Sequence, residues 1–218
     1  MNYINQEYIE RYIRKLLPLP SPIMREMEEY ALKHHVPIIH PEVAQLIRIL
    51  IKSNSMRSIL EVGTAIGYSA IQFAQAMGED GHLTTIEREP EMVFLARDYI
   101  KRAGLEDRID IIEGEAEEVL NSLNDSYDCI FLDAAKGHYM DFLQSSLRLL
   151  KDGGLLISDN VLFRGMVASD DLVKRRKITI VKRMRNYLKH ISNHPQLTTS
   201  VIPIGDGLAI SLVRSEDG

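Results

Sequence analysis

Two short apolar runs end in oxygen-bearing side chains: Ile130-Phe131-Leu132 leads into Asp133, and Leu155-Leu156-Ile157-Ser158 into Asp159 and Asn160. Two carboxylates and a carboxamide at one sheet edge would offer three oxygen ligands to a hard cation, with water or substrate completing an octahedron. That donor set suits Mg²⁺ (or Mn²⁺) better than Zn²⁺, which prefers nitrogen and sulfur. Asp and Asn are also common helix and turn caps, so the chemistry depends on the two runs becoming neighbouring strands. Both are short, continuously apolar and bounded by Gly or charged residues. Strands buried on both faces of a helix-covered parallel sheet have that pattern, and ligands of such sheets sit beyond the carboxyl ends of the strands.

A second constellation lies earlier. Glu61-Val62-Gly63-Thr64-Ala65-Ile66-Gly67-Tyr68-Ser69 joins a strand to a helix through a turn with three residues between its glycines. It lacks the GxGxxG set that wraps a dinucleotide pyrophosphate and the Gly-Lys-Ser/Thr of a P-loop. Glu61 at the strand end would repel a phosphate and attract a cationic amino-acid moiety. S-adenosylmethionine meets that requirement, since its sulfonium and ammonium are positive and its ribose needs an acid at the end of the second strand. Glu87, in Thr85-Ile86-Glu87-Arg88, falls there, about 20 residues beyond the loop. A tight turn with a solvated Glu is the bland alternative. After the third strand, Glu113-Gly114-Glu115-Ala116-Glu117 opens a helix whose amides, with the Glu117 side chain, could flank an adenine. Acids in a first helical turn are equally ordinary partners of the helix dipole.

Positioning these residues requires regularly alternating elements. An amphipathic N-terminal helix, a break at Pro18-Leu19-Pro20-Ser21-Pro22, a helix over Ile23 to His35 and a second break between Pro37 and Pro41 lead to Glu42 to Lys52. There Val43, Leu46, Ile47 and Leu50 recur at helical spacing. Strands and helices then alternate: strand Ser58 to Val62, helix Gly67 to Met77, strand His82 to Ile86, helix Pro90 to Ala103, strand Arg108 to Ile112. Helix Ala116 to Leu123, strand Tyr127 to Leu132, helix His138 to Leu150 and strand Leu155 to Ser158 continue the order. The spacing predicts an α/β, doubly wound, mostly parallel Rossmann-like sheet. Ser200 to Ile204 and Leu208 to Val213 flank Gly205-Asp206-Gly207, so the last two of its seven strands form a C-terminal antiparallel hairpin.

The 218 residues contain no linker-like stretch, and 45% hydrophobic with 26% charged residues fit a globular chain. No apolar run approaches the roughly 20 residues that span a bilayer, and the charged first helix differs from a secretory leader, so a cytoplasmic, membrane-free setting is expected. The lone cysteine, Cys129, sits inside an apolar run and is assigned no chemistry. A net charge of −5 argues against nonspecific nucleic-acid binding by the whole surface. Charge is uneven, however: Lys174, Arg175, Arg176, Lys177, Lys182, Arg183, Arg185 and Lys189 crowd one segment, where Ile178, Val181, Met184 and Leu188 supply a helical apolar stripe.

Four motifs in order, Glu61 to Ser69, Leu132-Asp-Ala-Ala-Lys-Gly-His-Tyr139, Ser158-Asp-Asn-Val-Leu-Phe-Arg-Gly165 and Pro203-Ile-Gly-Asp-Gly-Leu208, resemble the cation-dependent O-methyltransferases of the catechol and caffeoyl-CoA type. The resemblance covers nearly the whole chain after about Pro37 and is strongest to the branch that methylates 5-hydroxyuridine at the wobble position of bacterial tRNA. It implies a single class I methyltransferase domain over 1–218 with an N-terminal helical extension over 1–53. It further implies that Asp133, Asp159 and Asn160 hold Mg²⁺ and that Lys136 sits beside the acceptor oxygen. For S-adenosylmethionine it implies Glu61, Gly63, Thr64, Tyr68, Ser69, Glu87 and Asp133, with Ala116 near the adenine and Ile39 lending backbone. Where plant members carry a Pro-rich segment associated with the CoA ester, this chain has Met166 to Asp171 and then the basic run.

Within this resemblance the metal would bind adjacent oxygens of the acceptor, lower its pKa and hold it near the methyl group. A catechol offers such a pair, and so does 5-hydroxyuridine through its C4 carbonyl and C5 hydroxyl. Lys136 would accept the proton or stabilise the oxyanion as a cation. Three functions stay open: tRNA methylation, small-molecule catechol or phenylpropanoid methylation, and a noncatalytic cofactor-binding module. The basic segment favours a tRNA anticodon stem-loop, with Arg164, Lys174, Arg175, Arg176, Lys177, Lys182 and Arg183 as candidate contacts. Phe163 could stack on a splayed base or belong to the core. N-terminal helices outside the sheet would suit a homodimer.

Overall fold

The computed structural model describes residues 4–134 and 137–214; Lys136, the expected acceptor-side lysine, lies outside them. They cluster into two compact units, Ile13–Val119 on one side of the division and Met1–Tyr12 with Leu120–Gly218 on the other. Helix α1 spans Glu7–Leu16. In the first unit follow α2 (Pro22–His34), α3 (Pro41–Ser53), β1 (Ser58–Val62), α4 (Tyr68–Ala76), β2 (His82–Glu87), α5 (Pro90–Arg102), β3 (Ile109–Glu113) and the start of α6 (Ala116–Ser122). Three of these helices begin on a proline, whose fixed φ suits the first turn and whose missing N–H costs nothing there. Ser21 caps α2 by accepting from Met24 N at 3.4 Å.

The strands of this unit lie in the order β3-β2-β1, all parallel, with Glu61 opposite Thr85 and Glu87 opposite Glu113. Ile59, Leu60, Val62, Leu83 and Ile86 are buried in that sheet, and Ile47, Ile51, Ile71 and Phe73 on α3 and α4 are buried with them. The half-exposed Arg14 clamps the buried Glu42 with two bonds of 2.8 and 2.9 Å. Burial pushes the Glu42 carboxyl up, but the hydrogen bonds and charge of Arg14 outweigh it and leave the group below its ordinary value.

The second unit contains β4 (Tyr127–Leu132), α7 (Tyr139–Leu149), β5 (Leu150–Ser158), α8 (Ile178–Ser192), β6 (Leu197–Ile202) and β7 (Leu208–Val213). Its strand order is β4-β5-β7-β6; the first pair is parallel and the last two pairings are antiparallel, as the terminal hairpin requires. β5 starts five residues earlier than its apolar run, because Leu150 already pairs with Tyr127 before a register shift. The basic segment departs more from expectation. Residues 175–177 form a 3₁₀ turn, and α8 begins only at Ile178. Its buried stripe is Val181, Met184, Tyr187 and Ile191, whereas Ile178 is exposed and Leu188 half-buried. Among the described residues no helix is long and apolar enough to cross a membrane.

Candidate functional site

In the first unit, the β1–β2 register places Thr85 beside Glu61. The Thr85 hydroxyl donates to Glu61 Oε2 at 2.7 Å and lies 2.6 Å from the Thr64 hydroxyl, which must then donate to it. Glu61 is completely buried, and burial pushes its carboxyl up to about 7; the Ser69 and Thr85 hydroxyls oppose the rise, and the charge of Glu87 adds to it. Its Oε1 is buried with no hydrogen-bond partner among the described residues. A buried polar atom in that state costs free energy until a donor reaches it, so the site fits the ammonium end of a cationic amino-acid ligand.

The adjoining turn is shaped by left-handed residues, Gly63 at φ 106°, Ala65 at 46° and Gly67 at 84°. Gly63 and Thr64 donate their amides to Ile86 O, and Ala65 N donates to Glu87 Oε2 at 2.8 Å. Glu87 Oε1 accepts from the amides of Arg88 and Glu89 at 2.9 and 3.0 Å. Glu87 therefore ties the turn to the end of β2. A carboxylate has about four acceptor positions, which leaves room for a ribose hydroxyl. Ser69 is buried beside this cluster at the start of α4. Tyr68 turns elsewhere: its hydroxyl donates to Glu28 at 2.5 Å, and both line a cavity of about 420 Å³ with Arg14, Gln45, Arg48 and Gln72. Ile39 is buried just before α3, and Ala116 opens α6 two residues after Gly114, whose amide donates to Glu87 O.

In the second unit, Leu132 pairs with Ser158, so Asp133 and Asp159 emerge side by side from parallel strand ends. Asp159 N donates to Leu132 O at 3.0 Å. Asn160 N donates to Asp159 Oδ1 at 2.6 Å and Asn160 Nδ2 to Asp133 Oδ1 at 2.8 Å. The three predicted ligands thus converge, with Asp159 fully buried and Asn160 held left-handed at φ 61°. No three His, Cys, Asp or Glu side chains form a metal-holding group among the described residues; the predicted set has only two of those types and takes an amide as its third. Oxygen-only donors of this kind fit a hard divalent cation. Tyr139, at the start of α7, donates its buried hydroxyl to both Leu132 O and Asp159 O at 3.1 and 3.0 Å, pinning the two strand ends together. Reading the sequence overlooked Tyr139 and Thr85. Both reveal themselves only once strand register is known.

Beyond Asn160, residues 163–165 form a tight turn of left-handed backbone that exposes Arg164, and Lys177 sits over the Phe163 ring at 5.7 Å. Lys174, Arg175, Arg176, Lys182 and Arg183 are exposed, and Arg183 Nη1 donates to Gly137 O at 3.3 Å. Arg185 is committed to structure, donating to Val167 O and pairing with Asp170.

An O-methyltransferase family model matches residues 19–215. A caffeoyl-CoA O-methyltransferase of Populus kitakamiensis is 30% identical, over 95% of this chain and 94% of that one. A solved Staphylococcus aureus structure, carrying the provisional name caffeoyl-CoA O-methyltransferase, is 38% identical with a TM-score of 0.88, over 95% of this chain and all of that chain. An O-methyltransferase from Bacillus cereus solved in complex with SAH is 25% identical with a TM-score of 0.84, over 95% and 97%. The fold is that of the class I methyltransferases, seven strands, mostly parallel, with a C-terminal antiparallel hairpin. The protein belongs to the O-methyltransferase family, of the caffeoyl-CoA type.

Proposed function

We propose that the protein is an S-adenosylmethionine-dependent, divalent-cation-dependent O-methyltransferase that converts 5-hydroxyuridine at the tRNA wobble position to 5-methoxyuridine. The observation that carries the transferase reading is Glu61, a fully buried carboxylate with one oxygen awaiting a donor, next to a glycine turn tied down by Glu87. Glu61 would hold the cofactor's ammonium and Glu87 a ribose hydroxyl. The SAH bound to the Bacillus cereus relative supports that ligand. Asp133, Asp159 and Asn160 would hold Mg²⁺ or Mn²⁺. Such a cation lowers the pKa of a coordinated hydroxyl and orients it for in-line attack. Lys136 would take the acceptor's proton or stabilise its oxyanion. Asp159→Ala is expected to lower turnover at least about a hundredfold and to abolish its response to added Mg²⁺; undiminished methylation in the presence of chelator would remove the metal from the reading.

The tRNA substrate rests on the exposed Lys174, Arg175, Arg176, Lys182 and Arg183, with Arg164 and Lys177 beside Phe163. An anticodon stem-loop in a cytoplasmic setting, met by a homodimer, fits that surface. Mass spectrometry of tRNA nucleosides from cells lacking the protein tests substrate and reaction together: 5-methoxyuridine should vanish and 5-hydroxyuridine accumulate. The second reading, a small catechol or phenylpropanoid acceptor, is favoured by the name of the Populus relative. Unchanged tRNA nucleosides, with methylation of a catechol by the purified enzyme, would select it.

A further inference from the structure

Asn160 can serve a metal only if the chain around it is held in a conformation that L-residues rarely adopt. Asn160, Phe163 and Arg164 have φ of 61°, 45° and 58°, and Gly165 follows at 84°. Three non-glycine residues in the left-handed region within five positions cost free energy, and they persist only where surrounding contacts over-determine them. Three of those contacts come from one place. The turn between β6 and β7 accepts Val161 N at Gly207 O (2.9 Å), Leu162 N at Asp206 O (3.0 Å) and Arg164 N at the Asp206 carboxylate.

We propose that the Gly205-Asp206-Gly207 turn moulds the loop over 160–165, and that Asp206 is a positioning residue which fixes Asn160 for the divalent cation. The inference rests on the metal reading above. Asp206 is almost fully buried, and its side chain is the element of the turn that reaches an amide no helix or sheet pattern would satisfy. Gly207, at φ 89°, lets the two segments touch: a Cβ there would lie 2.8 Å from Leu162 N. Asn160 O in turn accepts from Phe163 N at 3.2 Å, so displacement of the loop would be transmitted directly to the candidate ligand.

The test compares the full-length wild type with Asp206→Ala and Asp206→Asn, titrating each with Mn²⁺ and separately with S-adenosylhomocysteine by calorimetry, with thermal melts alongside. Asp206→Ala should weaken Mn²⁺ binding about tenfold or more, as losses of outer partners of metal ligands do, while cofactor affinity stays within about twofold. Asp206→Asn keeps an acceptor oxygen for Arg164 N and should recover Mn²⁺ affinity to within about threefold of wild type. Equal Mn²⁺ binding by wild type and Asp206→Ala overturns the proposal, as does a parallel loss of both ligands with a large drop in Tm, which would make Asp206 a general structural residue. Should Asp206→Ala fail to fold, Asp206→Asn decides alone, since a tenfold loss there would mean that the charge matters and not the anchored loop. A wild type that binds no Mn²⁺ removes the metal reading and this inference with it, an outcome distinct from equal binding by both proteins.

Discussion

Glu61 is fully buried, and burial raises its carboxyl to about 7 against an ordinary value of 4.5. A group whose folded value is raised binds its proton more tightly in the folded state. Its contribution to stability is therefore complete below about pH 4.5 and is lost as pH climbs through about 7, a loss of about 3 kcal/mol. The ligand-free protein should melt at a lower temperature at pH 8 than at pH 5, and Glu61→Gln should flatten that part of the profile in differential scanning calorimetry. A cationic ligand reverses the preference, because the ammonium stabilises the carboxylate form. S-adenosylhomocysteine should bind at least about tenfold more tightly at pH 8 than at pH 5.5, and binding below pH 7 should release a proton. In Glu61→Gln the affinity should be lower throughout and its dependence on pH largely gone. An unchanged pH profile in that variant would place the cation elsewhere. Thr85 shares the role, since its hydroxyl donates to Oε2.

At the scale of elements, the site depends on how strand ends are held. α8 reaches β5 through Tyr187, whose buried hydroxyl lies 2.6 Å from Ser158 Oγ, next to Asp159 in sequence, and whose ring packs edge-on against Tyr139. Tyr187→Phe keeps the ring contact and removes one buried hydrogen bond, so urea denaturation should show a loss of about 1–2 kcal/mol with an unchanged m-value. Met184→Ala, on the same buried stripe, should cost more, about 2–5 kcal/mol, because it leaves a cavity. Three strands were legible in the sequence: Ser58–Val62, Tyr127–Leu132 and Leu208–Val213 are bounded as their apolar runs suggest, whereas β5 and β6 start before the runs that predict them. The convergence of Asp133, Asp159 and Asn160 followed from those boundaries. The phase of α8 was not legible. Its hydrophobic side chains fit two overlapping stripes, and the choice of Tyr187 and Ile191 over Ile178 and Leu188 depends on the Ser158 hydroxyl and the neighbouring sheet, which no local periodicity encodes. The clamp of Asp206 on Arg164 was hidden for a related reason, since 42 residues separate its partners.

Over the whole molecule the formal charge is −5, yet the exposed cations of 174–183 are followed on α8 by no acid before its end. A polyanion is attracted only to such a local concentration, and each phosphate it sets against a cation releases counterions, so binding weakens as salt rises. Lys174, and Arg175 and Arg176 on the 3₁₀ segment that follows it, are exposed, and none of them carries the helix or the metal ligands. Reversing Arg175 and Arg176 to Glu should therefore leave the fold, the Mn²⁺ affinity and the cofactor affinity intact. Affinity for an anticodon stem-loop should fall at least about tenfold near 0.1 M salt, and the slope of log K against log salt should shrink by about 1–2, one contact for each lost phosphate partner. A neutral catechol, which presents no phosphates, should be methylated by wild type and variant alike with little dependence on salt. If the double reversal leaves tRNA methylation and its salt slope unchanged, RNA does not enter over this segment. Loss of both, with catechol turnover preserved, would assign substrate choice to the basic segment and separate it from the chemistry at Asp133, Asp159 and Asn160.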